Sequence, residues 1–590
     1  MKTVVHITDQ ATRKMGGIGT ALEGLHSCSA YNSAVDRSIL LGPLLSPHNS
    51  FEDILAAGDD ILYSSRHGIF EHPYTQKLSE IEHKFGVYVI YGTRSFPAAS
   101  SHSNKSAEVI LIDVSQASVH PVNALKAWLF DEFSLPSDHY ENQPEFELYA
   151  KLAPAALAVL RAMDASNPNQ PTVVIAHGYK GIPTALAAVM DPLGAFKTIF
   201  HAHEATSVRR IVEEYPGHDT MFYNALQWSQ QNNYYLNEMF GPQDFFFKHA
   251  LVNASRFCDN IMAVSNRTAQ ELRFLGPQFD NINIDLAYNG LTTGPTTLAD
   301  KKASKAKLQQ YTQNILGYFP DYVFTHAAKM SLSEAFWRDL RVLYHLEEQF
   351  RRENRTAVFF LLGTDSPVRS SRDIHNIEQD WQWPATHRTP GLDLTQAEAS
   401  FYTNIQEFNS RNRHIKAVYI NQFGWDYLFC GNRMPSDMQF MDFRRGSDLE
   451  FGQSTYEPFG SAPLEALSQG SLCVVSSISG CLDAVRDITG SPLPSNVIVA
   501  DYTRLDNSNY DRQSILAIDQ HQRDRIEDIV SGEMSHAILE QLPQNDAQTE
   551  KLIEQGYDIA QRMNWDVVCD KYFLPALSRA YHKQRSRRIA

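Results

Sequence analysis

The sequence predicts an α/β protein with two doubly wound domains in tandem, and three observations carry that reading. The chain has 590 residues, more than one hydrophobic core usually serves. Short apolar, β-branched runs alternate with helical patterns, as expected of parallel strands buried on both faces. That rhythm stops once and then resumes.

In chain order, the expected strands begin with Thr3-Val4-Val5-His6-Ile7, followed by the runs 86–91, 109–113, 173–176, 198–200 and 261–264. Around Thr292-Thr293-Gly294-Pro295 and the polar stretch Lys301 to Lys307 the strand rhythm lapses. It returns with the runs 322–324, 357–362, 418–420, 472–475 and 496–499. The pattern predicts one domain over residues 1–300, a second over 301–565, and a terminal helix with a basic tail over 566–590. No tandem repeat interrupts it, so a solenoid is excluded. Open α/β sheets bind ligands beyond the carboxyl ends of their strands, and two such sheets facing each other make an interdomain cleft.

Composition narrows the function classes. A net charge of -16 repels polyanions, so no nucleic-acid partner is expected, and an anionic ligand must meet a local cluster of cations. Six cysteines without CxxC spacing fit reduced thiols in a cytoplasmic protein better than a disulfide framework or a zinc site. No run approaches the length of uninterrupted apolar sequence a membrane span needs, so no membrane insertion is expected. The tail Lys583-Gln584-Arg585-Ser586-Arg587-Arg588 reads as a solvated end.

Two segments carry chemistry. The early Lys14-Met15-Gly16-Gly17-Ile18-Gly19 is glycine-rich, yet it lacks the third glycine of a dinucleotide fingerprint. The second is Gln453-Ser454-Thr455-Tyr456-Glu457-Pro458-Phe459-Gly460-Ser461-Ala462-Pro463-Leu464-Glu465. Pro458 disfavours helix at Glu457, whereas Pro463 suits the first turn of a helix running to about Gly470. Backbone N–H groups at Phe459, Gly460 and Ser461 would then point at a phosphate. One carboxylate before that point and one behind it match the hydroxyls on either side of a diphosphate in a nucleotide sugar. The plainer alternative is that Glu465 complements the helix dipole and Glu457 is a solvated turn residue.

The loop with its paired glutamates resembles the signature of retaining glycosyltransferases of the GT-B fold, especially glycogen and starch synthases, and Lys14 to Gly19 is similar to the Lys-x-Gly-Gly-Leu-Gly loop of bacterial glycogen synthases. Phe200-His201-Ala202-His203-Glu204-Ala205-Thr206, with Arg209 and Arg210 after it, resembles a segment of eukaryotic-type members whose histidine lies beside the donor sugar. Asp219 to Asn224, Ala263 to Thr268 and Tyr288 to Leu291 also resemble that group. Met563-Asn564-Trp565 resembles the approach to a terminal helix that crosses back onto the first domain, with an ordinary core helix as the alternative. The resemblance implies two facing Rossmann-like domains. It also implies that Lys14, Gly16, Gly17 and Gly19 approach the diphosphate and sugar of a nucleotide-sugar donor, and that Glu457 serves the transferred sugar and Glu465 the ribose. If the strand continues, His201 and His203 are expected to point to opposite sides, so that only one faces the cleft unless the turn begins there; His203 is favoured by its place in the motif. His177-Gly178-Tyr179-Lys180-Gly181 is a further candidate.

One segment departs from the family's pattern. Where an arginine and, five residues later, a lysine would hold the diphosphate, the chain has Lys329 and Glu334. Lys329 keeps the charge without the bidentate fork, but a carboxylate near a diphosphate is repelled. Either Arg338 reaches in instead, or donor binding is weakened, or the chain is catalytically degenerate. With the first, the resemblance implies transfer of a hexose, glucose before others, to a glycan or other sugar acceptor. The absence of any Asp-x-Asp from the sequence argues against a metal-bridged diphosphate, so neither metal nor cofactor is expected. The degenerate reading makes the chain a glucan-binding or interaction protein. A hydrolase pair is disfavoured, because Glu457 and Glu465 flank an anion site rather than one sugar bond.

Overall fold

The computed structural model describes residues 3–12, 16–45, 59–96, 106–292, 294–365, 369–387, 393–422, 424–490, 492–505 and 510–584. The chain forms two units. The first comprises Met1–Val208, Ser229–Gly290 and Asn564–Ala590, and the second Arg209–Trp228 and Leu291–Met563. The main segment of the second unit starts at Leu291, ten residues before the expected start at 301. The excursion Arg209–Trp228 into the second unit has no strand pattern that could have announced it.

The first unit is built on β1 (Thr3–Ile7), β2 (Arg37–Pro43), β3 (Asp60–Ser64), β4 (Tyr88–Ser95), β5 (Ser106–Asp113), β6 (Thr172–His177), β7 (Phe196–Ala202), β8 (Asn260–Ala263) and β9 (Ile284–Leu286). Their order in the sheet is β3-β4-β5-β2-β1-β6-β7-β8-β9. From β5 to β9 the pairs are parallel, whereas β3–β4 and β4–β5 are antiparallel. That edge departs from the expected all-parallel sheet. β2, β3 and β9 were not anticipated; the apolar runs of β2 and β3 are only three residues long, and Asp285 interrupts that of β9. β6 shows why the central strands were legible: all six residues of its sequence TVVIAH are buried.

The second sheet comprises β10 (Tyr322–Lys329), β11 (Ala357–Thr364), β12 (Ile415–Ile420), β13 (Leu449–Gly452), β14 (Leu472–Ser476) and β15 (Val497–Ala500). It runs β12-β11-β10-β13-β14-β15, with every pair parallel. Apolar clusters cover both of its faces, one around Phe324, Leu343, Phe359 and Leu361, the other around Tyr311, Val323, Phe360 and Phe443. The polar stretch from Lys301 to Lys307 is part of the helix Leu298–Leu316. A reciprocal capping box between Thr297 and Asp300 starts that helix, and Gly317 in the left-handed region ends it. Strand order reverses between β1 and β6 in the first sheet and between β10 and β13 in the second. Each reversal opens a crevice beyond the carboxyl ends of the flanking strands.

The terminal segment Asn564–Ala590 belongs to the first unit. Cys569, Phe573, Ala576, Leu577 and Ala580 pack there with Val4, Leu25, Tyr31 and Ile199. Gly24 and Gly290 leave room for the Trp565 indole; a Cβ on either would intrude into it.

Candidate active site

In the first unit, the crevice between β1 and β6 gathers histidines. His6, on β1, pairs in register with Ile175, two residues from His177 at the end of β6, and His177 is in register with His201 on β7. Positions two apart on a strand share a face, so the expectation that His201 and His203 point to opposite sides is corrected: their ring centroids lie 4.2 Å apart. His177 Nδ1 is 2.9 Å from His203 Nε2, and His177 Nε2 is 2.9 Å from His6 Nδ1. Burial holds the pKa of His6, His177 and His203 well below the usual imidazole value, and that of His201 falls to about 4. These rings are therefore neutral at physiological pH, offering one donor and one acceptor each. Lys180, after His177, is engaged with Asp9 at 2.5 Å.

The glycine-rich turn lies beyond β1. Lys14 falls outside the described residues. Gly16 precedes the helix Gly17–Ser27. Among the described residues, a Cβ on Gly17 would meet no atom within 4 Å, and one on Gly16 would meet only the Gln10 side chain. Packing against the described residues therefore does not demand glycine at 17. The Gly19 amide, expected to approach a diphosphate, instead donates to Gln10 Oε1 at 2.8 Å.

In the second unit, the crevice between β10 and β13 holds the paired-glutamate loop. Thr455 N–H donates to the Ser333 carbonyl at 2.7 Å, and Ser454 Oγ donates to Glu334 Oε2 at 3.2 Å. Glu334 thus faces the same place as Glu457. Burial and the neighbouring Glu334 carboxylate push Glu457 up to about 7, against the opposing pull of Arg209. Glu334 is also raised, mainly by burial, with His326 and Arg209 opposing. Arg209 stands 5.2 Å over the Tyr456 ring and donates to Ser333 Oγ at 3.4 Å. Lys329 is exposed at the end of β10.

The helix after the loop is Ser461–Leu467, with turns carrying the chain to Gly470. Gly460 sits at φ 86°, a conformation glycine adopts without strain. Of the three amides expected to be free, Phe459 N–H donates to Glu457 Oε1 at 3.2 Å. Glu465 is a third exposed and lies 3.4 Å from Arg444 Nη2; the same guanidinium bonds the buried Glu450 at 2.8 Å. Arg444 therefore orients Glu465 from behind.

Arg338 does not reach into the crevice. It is fully buried, with Nη2 and Nη1 on Asp219 at 2.6 and 3.0 Å, Nε on Glu527 at 2.8 Å, and its guanidinium 3.9 Å over the Tyr502 ring. Two buried carboxylates hold it, so it is not free to take the expected role toward a donor. Sequence alone gives no sign of the part played by Arg209, which follows the His201–Thr206 segment in the chain and folds into the second unit. It also misses the His326–Asp339 pair, 2.6 Å apart, for which spacing gives no signal.

A search of solved structures finds the same architecture elsewhere. The catalytic domain of starch synthase IV from Arabidopsis thaliana, bound to ADP and acarbose, matches with a TM-score of 0.55 at 14% identity, over 98% of this chain and 99% of that one. The chain has the GT-B fold. A trehalose-6-phosphate protein from E. coli bound with UDP-2-fluoro glucose matches at TM-score 0.51 and 9% identity, over 99% of this chain and 100% of that chain. The N-terminal domain of trehalose-6-phosphate phosphatase from Candida albicans matches at TM-score 0.51 and 10% identity, over 98% and 97%. Neither a family model nor a curated protein sequence matches the chain. These likenesses establish the GT-B architecture; the chemistry rests on the side chains.

Proposed function

We propose that this chain is a retaining glycosyltransferase that moves a hexose, glucose before others, from a nucleoside diphosphate sugar to a hydroxyl of a glycan or other sugar acceptor. The observation that carries the reading is the loop after β13. It sets Glu457 at the crevice where strand order reverses and leads to a Glu465 anchored by Arg444. In this reading Glu457 bonds hydroxyls of the transferred sugar and Glu465 bonds the ribose. Lys14, Lys329, Arg209 and the Gly460 and Ser461 amides stabilise the departing diphosphate. The glycine-rich turn at Gly17 admits the donor, and His203 lies by its sugar. The six cysteines, free and buried, fit a cytoplasmic setting. No described helix is long and apolar enough to cross a membrane.

Glu334 favours a second reading, a degenerate transferase that binds glucan or a partner without turnover, because two neighbouring carboxyls oppose a diphosphate. Arg209 is the group that answers it. Incubating the protein with UDP-glucose or ADP-glucose, with and without a glucan primer, and measuring diphosphate release separates the two. Release that rises with primer and collapses in Glu457→Gln is expected; none with any donor leaves the degenerate reading standing.

A further inference from the structure

The histidines of the first unit form more than a donor-sugar contact. Among the described residues, His177, His201 and His203 are the one group of three side chains whose potential metal-ligating atoms all lie within 4.8 Å of one another. His177 and His201 are 3% and 4% exposed, while His203 is half-buried. Among the described residues, neither ring nitrogen of His201 makes a hydrogen bond of ordinary geometry; the Ala287 backbone lies near enough to favour its protonated form. A buried polar group left in this way calls for a partner.

A hydrogen-bonded chain fixes which lone pair the cluster presents. It begins at the Leu22 carbonyl, an acceptor only, to which His26 Nδ1–H donates at 2.8 Å. His26 is a buried neutral ring, so its Nε2 is an acceptor and Ser38 Oγ–H donates to it at 2.8 Å. Ser38 has then used its one proton, so the Tyr31 hydroxyl donates to Ser38 at 2.9 Å and accepts from His6 Nε2–H at 2.8 Å. His6 Nδ1 is left as an acceptor for His177 Nε2–H. A neutral His177 consequently turns a bare Nδ1 lone pair toward His201 and His203. Reversing any link would require His26 to carry two protons in the core.

We propose that His177, His201 and His203 bind a divalent transition-metal ion of the zinc class, with His177 ligating through Nδ1 and a fourth coordination position open on the half-buried side of His203. Three neutral imidazoles with no carboxylate among them suit zinc, cobalt, nickel or copper rather than magnesium or calcium. In a tetrahedral site ligating nitrogens stand roughly 3.3 Å apart, close to the 2.9 Å between His177 and His203, so small ring rotations accommodate the ion. On binding, His203 shifts its proton from Nε2 to Nδ1 and no net charge need leave. The run His6, Tyr31, Ser38, His26 is the outer shell that locks His177 in its ligating tautomer. The inference goes beyond the glycosyltransferase reading, which gives His203 to the sugar and needs no metal.

The test uses the full chain, stripped with chelator and without any nucleotide sugar, so its outcome is independent of transferase activity. Equilibrium dialysis against Zn2+ should find one ion per chain. His201→Gln and His203→Gln should each weaken binding by about tenfold or more, with unchanged far-UV circular dichroism. Tyr31→Phe, which frees His6 to reverse its tautomer, should weaken it by about 10- to 100-fold. Should the histidine variants fold poorly, X-ray absorption at the zinc edge of the wild-type chain decides, with three imidazoles in the first shell as the expected result. No stoichiometric zinc, zinc retained equally by both variants, or sulfur in the first shell would overturn the proposal.

Discussion

Glu457 holds its proton to about pH 7 because burial and the adjacent Glu334 both penalise the carboxylate. An unfolded chain releases that proton nearer 4.5, so the neutral carboxyl stabilises the fold below that pH. The contribution is lost as pH rises through about 7. Glu457→Gln should therefore raise the melting temperature more at pH 8 than at pH 5; an equal change at both would disprove the shift. Arg338 supports the opposite kind of prediction. Replacing it with Met strips the buried Asp219 of its guanidinium and leaves Glu527 with only the longer contacts to Arg341 and Arg523 at 3.5 and 3.6 Å, which costs about 3–5 kcal/mol. Urea denaturation followed by a probe in the second unit measures it, and a loss under 1 kcal/mol would show that the ion network is dispensable. Glu457 and Glu465 were legible as single residues because a proline before a turn and one inside a helix start constrain the backbone locally. Arg338 was misread because Asp219 and Glu527, its partners, are far away in the chain.

Two of the three glycines in helix Gly17–Ser27 differ in why they are glycine. At 17 a Cβ meets none of the described residues, whereas at 24 it would intrude into the Trp565 ring. Gly17→Ala is expected to leave stability level or raise it by up to ~1 kcal/mol, while weakening nucleotide-sugar binding measured by calorimetry. Gly24→Ala should cost roughly 1–3 kcal/mol by overpacking. If thermal melts rank the two variants the other way, the docking of Trp565 on this helix is wrong. The strands that sequence reasoning located are the continuously apolar ones, β6 and β11 foremost. Among those it missed, β13 is short and carries a buried acid; Glu450 is satisfied by Ala327 N–H at 2.9 Å and by Arg444, contacts no local pattern announces.

At the scale of the whole chain, the first unit is completed by its last segment. Phe573, Leu577 and Ala580 share a buried cluster with Val4 of β1 and Ile199 of β7. A chain ending at Met563 exposes that face, and hydrogen exchange should show β1, β6 and β7 losing protection while β10 to β15 keep theirs. Uniform protection would mean the segment is an appendage. A ligand that binds only the native state stabilises it by mass action, by about 2.7 kcal/mol at a hundredfold excess over its Kd, and so raises the melting temperature. Screening UDP-, ADP- and GDP-sugars in this way identifies the donor, and a flat response to all of them counts against nucleotide-sugar binding.

By itself the sequence determined the α/β class, the two-sheet organisation and the loop that carries Glu457 and Glu465. Those depend on apolar periodicity and on proline and glycine geometry, which act over a few residues. Tertiary structure alone decided that Arg209 joins Glu334 and Glu457, that Arg338 is locked away, and that His6, His177, His201 and His203 become one connected cluster. Parallel strands bring together residues that crossover helices separate by tens to hundreds of positions, and the charges and lone pairs that result are properties of the sheet's order, which no local pattern encodes.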